Sequence, residues 1–166
     1  MLTGIILAGG KSNRMGNDKS LINSNVERLA VELRAAGCQD IFVMCGTEDR
    51  RRLFSEECIV DSKDSLAESL IDVISKIDGT IQLAPCDAYL ADATLFSQIN
   101  GVPIDDHGLR QPLLARFDSD ADLISSTKIT ELFQQIPSCE GGFKARNTNT
   151  PEELKEIQSF LDSVDQ

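Results

Sequence analysis

Short apolar runs alternate along this chain with stretches in which apolar residues return every three to four positions. The first run, residues 3–7, is continuous, as in a strand covered on both faces. Helical spacing follows over residues 26–36, where Leu29, Ala30, Leu33 and Ala36 share a face and Gly37 can close the C-terminus. Residues 41–45 read as a second strand, 48–54 as a short helix and 58–60 as a third strand. Ser65 and Glu68 form a capping-box pair ahead of Leu66, Leu70, Val73, Ile74 and Ile77, which predicts a helix. A fourth strand is expected over 80–84. A short helix should follow, capped by Asp92 and ending near Asn100. A strand is expected at 113–117, one or two short helices within 123–135, and an edge strand at 142–145. Thr150, Pro151 and Glu153 then predict a last helix with N-cap, N1 proline and capping-box acid.

Alternation of strand and helix predicts an α/β fold with a mainly parallel sheet. The length, 166 residues, suits one domain spanning 1–166 with a sizeable core. Charge then narrows the range of functions. Twenty-seven acids against 16 Lys and Arg give a net charge of −11. Such a surface repels nucleic acid and anionic membrane, so an anionic ligand needs a local basic pocket. No apolar run is long enough to span a bilayer, and residues 2–7 are too short for a secretory leader. Five cysteines, with no C-x-x-C pair, fit buried thiols in a reducing cytoplasm better than a disulfide framework or a metal site. A cytoplasmic location is therefore expected.

The basic pocket has an obvious place. Leu7-Ala8-Gly9-Gly10-Lys11-Ser12-Asn13-Arg14-Met15-Gly16-Asn17-Asp18-Lys19 leaves the first strand with three glycines and three bases against one acid. Glycines let backbone N–H groups converge on an anion. Arg14 offers paired hydrogen bonds to phosphate, and Lys19 a compact charge. A basic turn at the carboxyl end of a first strand is where such a fold binds ligand. The loop fits neither the Walker pattern nor G-x-G-x-x-G.

This L-A-G-G-K-S-x-R-M-G-x-D-K segment resembles the signature of nucleotidyltransferases related to molybdenum cofactor guanylyltransferase, the MobA family. Three further segments fall in family order. Pro85-Cys86-Asp87 resembles the C-D step after the fourth strand, and Gln111-Pro112-Leu113-Leu114-Ala115 the Q-P-L-x-A strand. Asn147-Thr148-Asn149-Thr150-Pro151-Glu152-Glu153-Leu154 resembles the closing N-x-N-T-P-E-E-L. The resemblance runs from residue 4 to about 155. It implies a three-layer, Rossmann-like nucleotidyltransferase fold whose mainly parallel sheet contains an antiparallel strand.

The resemblance also implies a reaction: GMP passes from GTP to the terminal phosphate of molybdopterin, and pyrophosphate leaves. Leu7, Ala8, Gly9, Gly10, Arg14, Lys19, Asp61 and Asp87 would contact the nucleotide. Arg14, Lys19 and Asp87 would be catalytic. Asn147 and Asn149 would contact the pterin substrate, although the same segment is also a complete helix cap. Mg²⁺ is the expected cofactor and Asp87 its expected ligand, since such sites use few protein carboxylates. Asp61, taken alone, reads as a turn residue. His107, the lone histidine, lies among Asp105, Asp106 and Gly108 and reads as solvated loop.

The chain departs from the family where the base is read. A G-P-L-x-G segment is usual before the third helix, and Asp64-Ser65-Leu66-Ala67-Glu68 stands there instead. Met44 occupies a position where an Asn is usual, and Ala88-Tyr89 replace a proline after Asp87. Two alternatives follow. One is a related nucleotidyltransferase with another base, such as CTP, or another phosphorylated acceptor, such as cobinamide phosphate. The other is a relative that binds a nucleotide or partner without catalysis.

Overall fold

The computed structural model describes residues 1–9, 19–146 and Ser159. Its main sheet has five strands in the order β3-β2-β1-β4-β6. These are β1 (Leu2–Leu7), β2 (Asp40–Gly46), β3 (Glu57–Val60), β4 (Thr80–Pro85) and β6 (Arg116–Asp118). All pairings are parallel except β4 with β6, where Ile81 faces Phe117. The expected α/β class, mainly parallel with one antiparallel strand, is the architecture found.

Side-chain alternation along the strands sorts the core into two layers. Ile6, Ala8, Val43, Cys45 and Ala84 face helix α1 (Lys19–Ala35) and helix α3 (Ala93–Gln98), whose Leu29, Leu33, Leu95 and Phe96 are fully buried. Ile5, Leu7, Met44, Ile81 and Leu83 face helix α2 (Leu66–Ile74) and the single turn α4 (Ile129–Leu132). Sheet strands with both faces covered are continuously apolar, which is why β1 is so plain in the sequence.

Local signals set several boundaries. The Ser65 hydroxyl accepts from Glu68 N at 3.1 Å and donates to the Glu68 carboxylate at 2.8 Å, so the predicted cap forms. Asp92 likewise caps α3, accepting from Leu95 N at 3.0 Å. After α1, Cys38 N returns to Leu33 O at 3.0 Å, closing the helix around Gly37 as expected.

Three expectations need correction, and one strand lacked a signal. Helix α1 begins at Lys19, not Val26; its added residues are Ser- and Asn-rich, which masks helical periodicity. Residues 113–117 are not one strand. Pro112 starts a 3-10 turn (Pro112–Leu114), and the strand begins only at Arg116. Within 123–135, where one or two short helices were expected, there is one, Ile129–Leu132. The strand expected at 142–145 is shifted: β7 is Ser138–Gly142, and Phe143–Ala145 is a 3-10 turn. Strand β5 (Val102–Asp105) carried no signal, because Pro103 interrupts it. β5 pairs with β7 in a separate two-stranded parallel sheet. The helix expected from Thr150 lies outside the described residues.

Candidate active site

Strands β2 and β3 lie to one side of β1, and β4 to the other. The chain therefore reverses its direction of travel across the sheet between β1 and β4, and ligands bind such folds in the crevice beyond that point. Leu7 is opposite Pro85 in the ladder, and Cys86 N donates to Leu7 O at 3.0 Å. Gly9 and Asp87, each two residues further on, thus leave the sheet side by side.

Gly9 sits against Gly46 at the end of β2. A Cβ on Gly9 would lie 2.8 Å from both the Cα and the N of Gly46 and 3.1 Å from an Asp61 carboxylate oxygen. Gly46 itself has φ +87°, a conformation that disfavours any side chain. Two main chains can approach this closely only because neither carries a Cβ. Asp61 follows β3 and holds the junction from outside. Its carboxylate accepts from Gly46 N at 3.2 Å, and its own N–H donates to Gly46 O at 3.0 Å. Burial pushes the Asp61 carboxyl up, against the opposing Gly46 hydrogen bond and the Arg50 charge.

Arg50 has a role here that no motif assigns to it. It donates from Nε to Cys45 O at 2.8 Å and from Nη2 to Ala8 O at 2.7 Å, tying the ends of β1 and β2 together. The available signal was its position in Arg50-Arg51-Arg52, a basic run just beyond a parallel strand. Its neighbour Arg51 turns outward to Glu48 at 3.1 Å.

On the β4 side, Asp87 is positioned by what surrounds it. Buried Asn25 on α1 donates to Cys86 O at 2.7 Å and accepts from Arg28 Nε at 2.9 Å. Arg28 also donates to Ala88 O at 2.8 Å and Ala91 O at 2.7 Å. Two α1 side chains thereby fix the turn on either side of Asp87. Desolvation lowers the Arg28 pKa, and the charges of Glu32 and Asp92 oppose it. Burial and the Asp87 charge push the Cys86 thiol up to about 12, so it stays protonated and unreactive. Of the five free cysteines, Cys38, Cys45 and Cys58 are buried as expected, and Cys86 and Cys139 are half-buried.

Beyond Asp87 opens a cavity of about 340 Å³. Pro85, Pro112, Leu113 and Ile129 give it apolar walls, and among the described residues Asp87 and Arg146 are its charged groups. The Gln111–Ala115 segment forms one wall as a turn, pinned by side chains. Gln82, buried in β4, donates from Nε2 to Leu114 O at 2.8 Å. Gln111 donates to Asp105 at 2.9 Å, so Gln111 is a structural anchor. His107 lies in the exposed turn that Asp105 organises, as expected.

The structure thus brings Leu7, Ala8, Gly9, Asp61 and Asp87 to the carboxyl ends of the parallel strands. Lys19 opens α1. Gly10, Arg14, Asn147 and Asn149 lie outside the described residues. Among the described residues, no group of three or more His, Cys, Asp and Glu could hold a metal ion. On either side of Asp64–Glu68, Ser69 pins Lys63 through both N–H and C=O, at 3.0 and 3.2 Å. Asp64 and Glu68 remain exposed.

A family profile described as the MobA-like NTP transferase domain matches residues 4–116. No curated protein matches the chain by sequence. Among solved structures, a nucleotidyl transferase from Methanothermobacter thermautotrophicus superposes with a TM-score of 0.66 at 15% identity, covering 98% of this chain and 99% of its own. A 4-diphosphocytidyl-2C-methyl-D-erythritol synthase from Anaerococcus prevotii gives 0.61 at 12% identity, with 98% of each chain covered. A CMP:2-keto-3-deoxy-manno-octonic acid synthetase complexed with CTP gives 0.59 at 14%, again with 98% of each covered. At these identities the likeness is one of fold. Among the described residues no helix is long and apolar enough to cross a membrane.

Proposed function

The chain belongs to the MobA-like NTP transferase family, and from that premise we propose that it transfers GMP from GTP to the terminal phosphate of molybdopterin or a close analogue, releasing pyrophosphate. The observation that carries the reading is the junction at the reversal point. There the bare main chain of Gly9 is pressed on Gly46, and neighbouring strand β4 carries Asp87 to a cavity of about 340 Å³. Nucleotide phosphates would lie over residues 7–10, held by backbone N–H groups, Arg14 and Lys19. Asp61, fixed on Gly46, would border the nucleoside. Asn147 and Asn149 would meet the acceptor.

The acceptor phosphate has a second pKa near ~6, so at neutral pH it attacks as a dianion and no side chain need remove a proton. A P–O bond forms to the α-phosphorus, the α–β bond breaks, and the electron pair leaves on pyrophosphate. The protein's part is alignment and charge neutralisation. Asp87 would hold a Mg²⁺ ion, which when bound screens the triphosphate and the leaving pyrophosphate. Asn25 and Arg28 keep the Asp87 turn in place.

A second reading keeps the transfer and changes the base. The exposed Asp64 and Glu68 stand where glycines usually approach a purine, and two fold neighbours are named for cytidine-nucleotide chemistry. Calorimetric titration with GTP, CTP and ATP, with and without chelator, followed by pyrophosphate-release assays, decides among them. The expected result is cation-dependent binding, with less than about a thousandfold preference, roughly 4 kcal/mol, among bases. Equal affinity with chelator removes the cation from the site. If no triphosphate yields pyrophosphate with any phosphorylated acceptor, the chain is a binding relative and not an enzyme.

A further inference from the structure

The cavity beyond Asp87 contains a cation for which the nucleotide reading has no use. Arg146 follows fully buried Ala145 and lines the same 340 Å³ space as Asp87, Leu113 and Ile129. Its guanidinium is a planar fork, the geometry that matches phosphate oxygens in pairs. At rest the fork is engaged by the Asp106 carboxylate, with Nε at 2.6 Å and Nη2 at 2.5 Å. Asp106 is itself held in place, because the adjacent Asp105 accepts from His107 N at 2.9 Å, Leu109 N at 3.0 Å and Gln111 Nε2 at 2.9 Å. Lys144, two residues before Arg146, is tied to Asp92 at 2.5 Å. Arg146 thus lines the cavity from a tethered segment, with its guanidinium held at the margin by Asp106.

The pair is well formed but easily traded. Its side chains are 33% and 35% exposed, a setting in which water screens an ion pair and leaves it little net worth. A dianion entering the cavity offers the same fork more charge and equally matched oxygens. Apolar walls with a fixed cation are the usual make-up of a site that takes a small molecule by its body and orients it by one charged end.

We propose that Arg146 is the acceptor-binding residue of this cavity, and that it exchanges Asp106 for the phosphate of a phosphomonoester whose compact apolar or ring-bearing body packs on Pro112, Leu113 and Ile129. Asp106 then serves as a resident stand-in for the substrate's anion, and acceptors lacking a phosphate are refused. The assignment rests on reading the cavity as the acceptor's seat, and it can be tested without nucleotide.

Phenyl phosphate is the probe, with phenol and benzoate as its neutral and carboxylate controls. Binding is followed on the methyl resonances of Leu113 and Ile129 in the full chain, with no nucleotide or metal present. Wild type should bind phenyl phosphate at least tenfold more tightly than phenol or benzoate. Arg146→Gln should lose that advantage, and Asp106→Asn, which removes the competing charge but keeps the shape, should bind two- to fivefold more tightly than wild type. Circular dichroism checks that both variants fold. If Arg146→Gln binds like wild type, or phenol binds as well as phenyl phosphate, Arg146 does not read the acceptor. Equal weakening by both variants shows a purely structural pair. Benzoate matching phenyl phosphate replaces the phosphomonoester with a carboxylate acceptor. Failure of GTP and CTP to bind would overturn the transferase reading and leave these outcomes intact.

Discussion

The two halves of the site are built by opposite means. On the β1–β2 side a main-chain contact, Gly9 on Gly46, does the shaping, braced from outside by Arg50, which reaches Ala8 O and Cys45 O, and by Asp61, which holds Gly46 through two hydrogen bonds. Beyond β4, side chains do it. Gln82 holds the Leu114 carbonyl, Gln111 holds Asp105, and Arg146 holds Asp106, around a wall with little regular structure. A triphosphate is the same in every nucleotide, so a surface of backbone N–H groups serves it well. Acceptors differ from one transferase to another, and a wall built of side chains can be altered one residue at a time.

The sharpest way to break the second half is at its root. Gly101 has φ +112°, and a Cβ there would lie 2.2 Å from Pro137 O, a backbone atom that cannot step aside. Gly101→Ala should cost about 3 kcal/mol, combining left-handed strain with overpacking. In a chain of this length that lowers Tm by roughly 10 °C in a thermal melt. An unchanged melt would mean that this half tolerates displacement of β5 from β7.

Asp87→Asn lies on the seam between the halves. The swap is nearly isosteric, and in the proposed site ground-state binding would be shared with Arg14, Lys19 and the loop amides, so nucleotide affinity should fall less than about fivefold. Removing a preorganised electrostatic contact to developing charge typically costs about a hundredfold in turnover. Pyrophosphate release should show that drop. If the variant turns over normally, Asp87 is not the cation's ligand and Asp61 becomes the candidate.

Asp105→Asn separates the halves more gently. Oδ1 can still accept from His107 N and Leu109 N, but the new amide would face the Gln111 amide. A lost hydrogen bond to a charged group costs about 1.5 kcal/mol, measurable in urea unfolding. Nucleotide affinity should stay the same, since the β1–β2 side shares none of these contacts. A matching loss of GTP binding would show that the halves are coupled.

The smallest effect lies on the main-chain side. Burial raises the Asp61 carboxyl above its unfolded value. The favourable contribution of its neutral form is fully present below the unfolded pKa, near ~3.9, and is lost as pH rises through the folded one. Asp61→Asn should therefore flatten the fall in stability just above pH 4 and leave the fold no weaker at pH 7, the amide oxygen still accepting from Gly46 N. Denaturant melts across pH 4–7 would expose an error as a variant less stable than wild type at neutral pH.

The same division decided what could be read from the sequence. The runs at 3–7, 41–45 and 80–84 are strands because parallel strands covered on both faces need unbroken apolar residues, and Ser65 and Asp92 are caps because their side chains act locally. Gly9 and Asp87 were legible as the ends of such strands. The far half was not. Pro103 hides β5, Pro112 turns an expected strand into a 3-10 turn, and Gly142 ends a strand instead of starting one. Arg50, Arg28 and Arg146 could not be singled out, because their roles depend on carbonyls and carboxylates distant in sequence: Ala8, Ala91 and Asp106.

The outer strands of the main sheet bear on how this chain behaves when crowded. A sheet edge with free N–H and C=O groups is a template on which further copies can stack. Here both edges are kept short: β3 has four residues and opens on exposed Glu57, and β6 has three and ends on exposed Asp118. Gly101 also covers part of β6, exchanging two hydrogen bonds of 2.9 Å with Arg116. The long, sticky strands β1 and β4 are sealed in the middle. With a net charge of −11 adding mutual repulsion between molecules, the native protein should remain dispersed at high concentration. Aggregates, when they form, should come from chains that have lost β3 or β6 from the sheet.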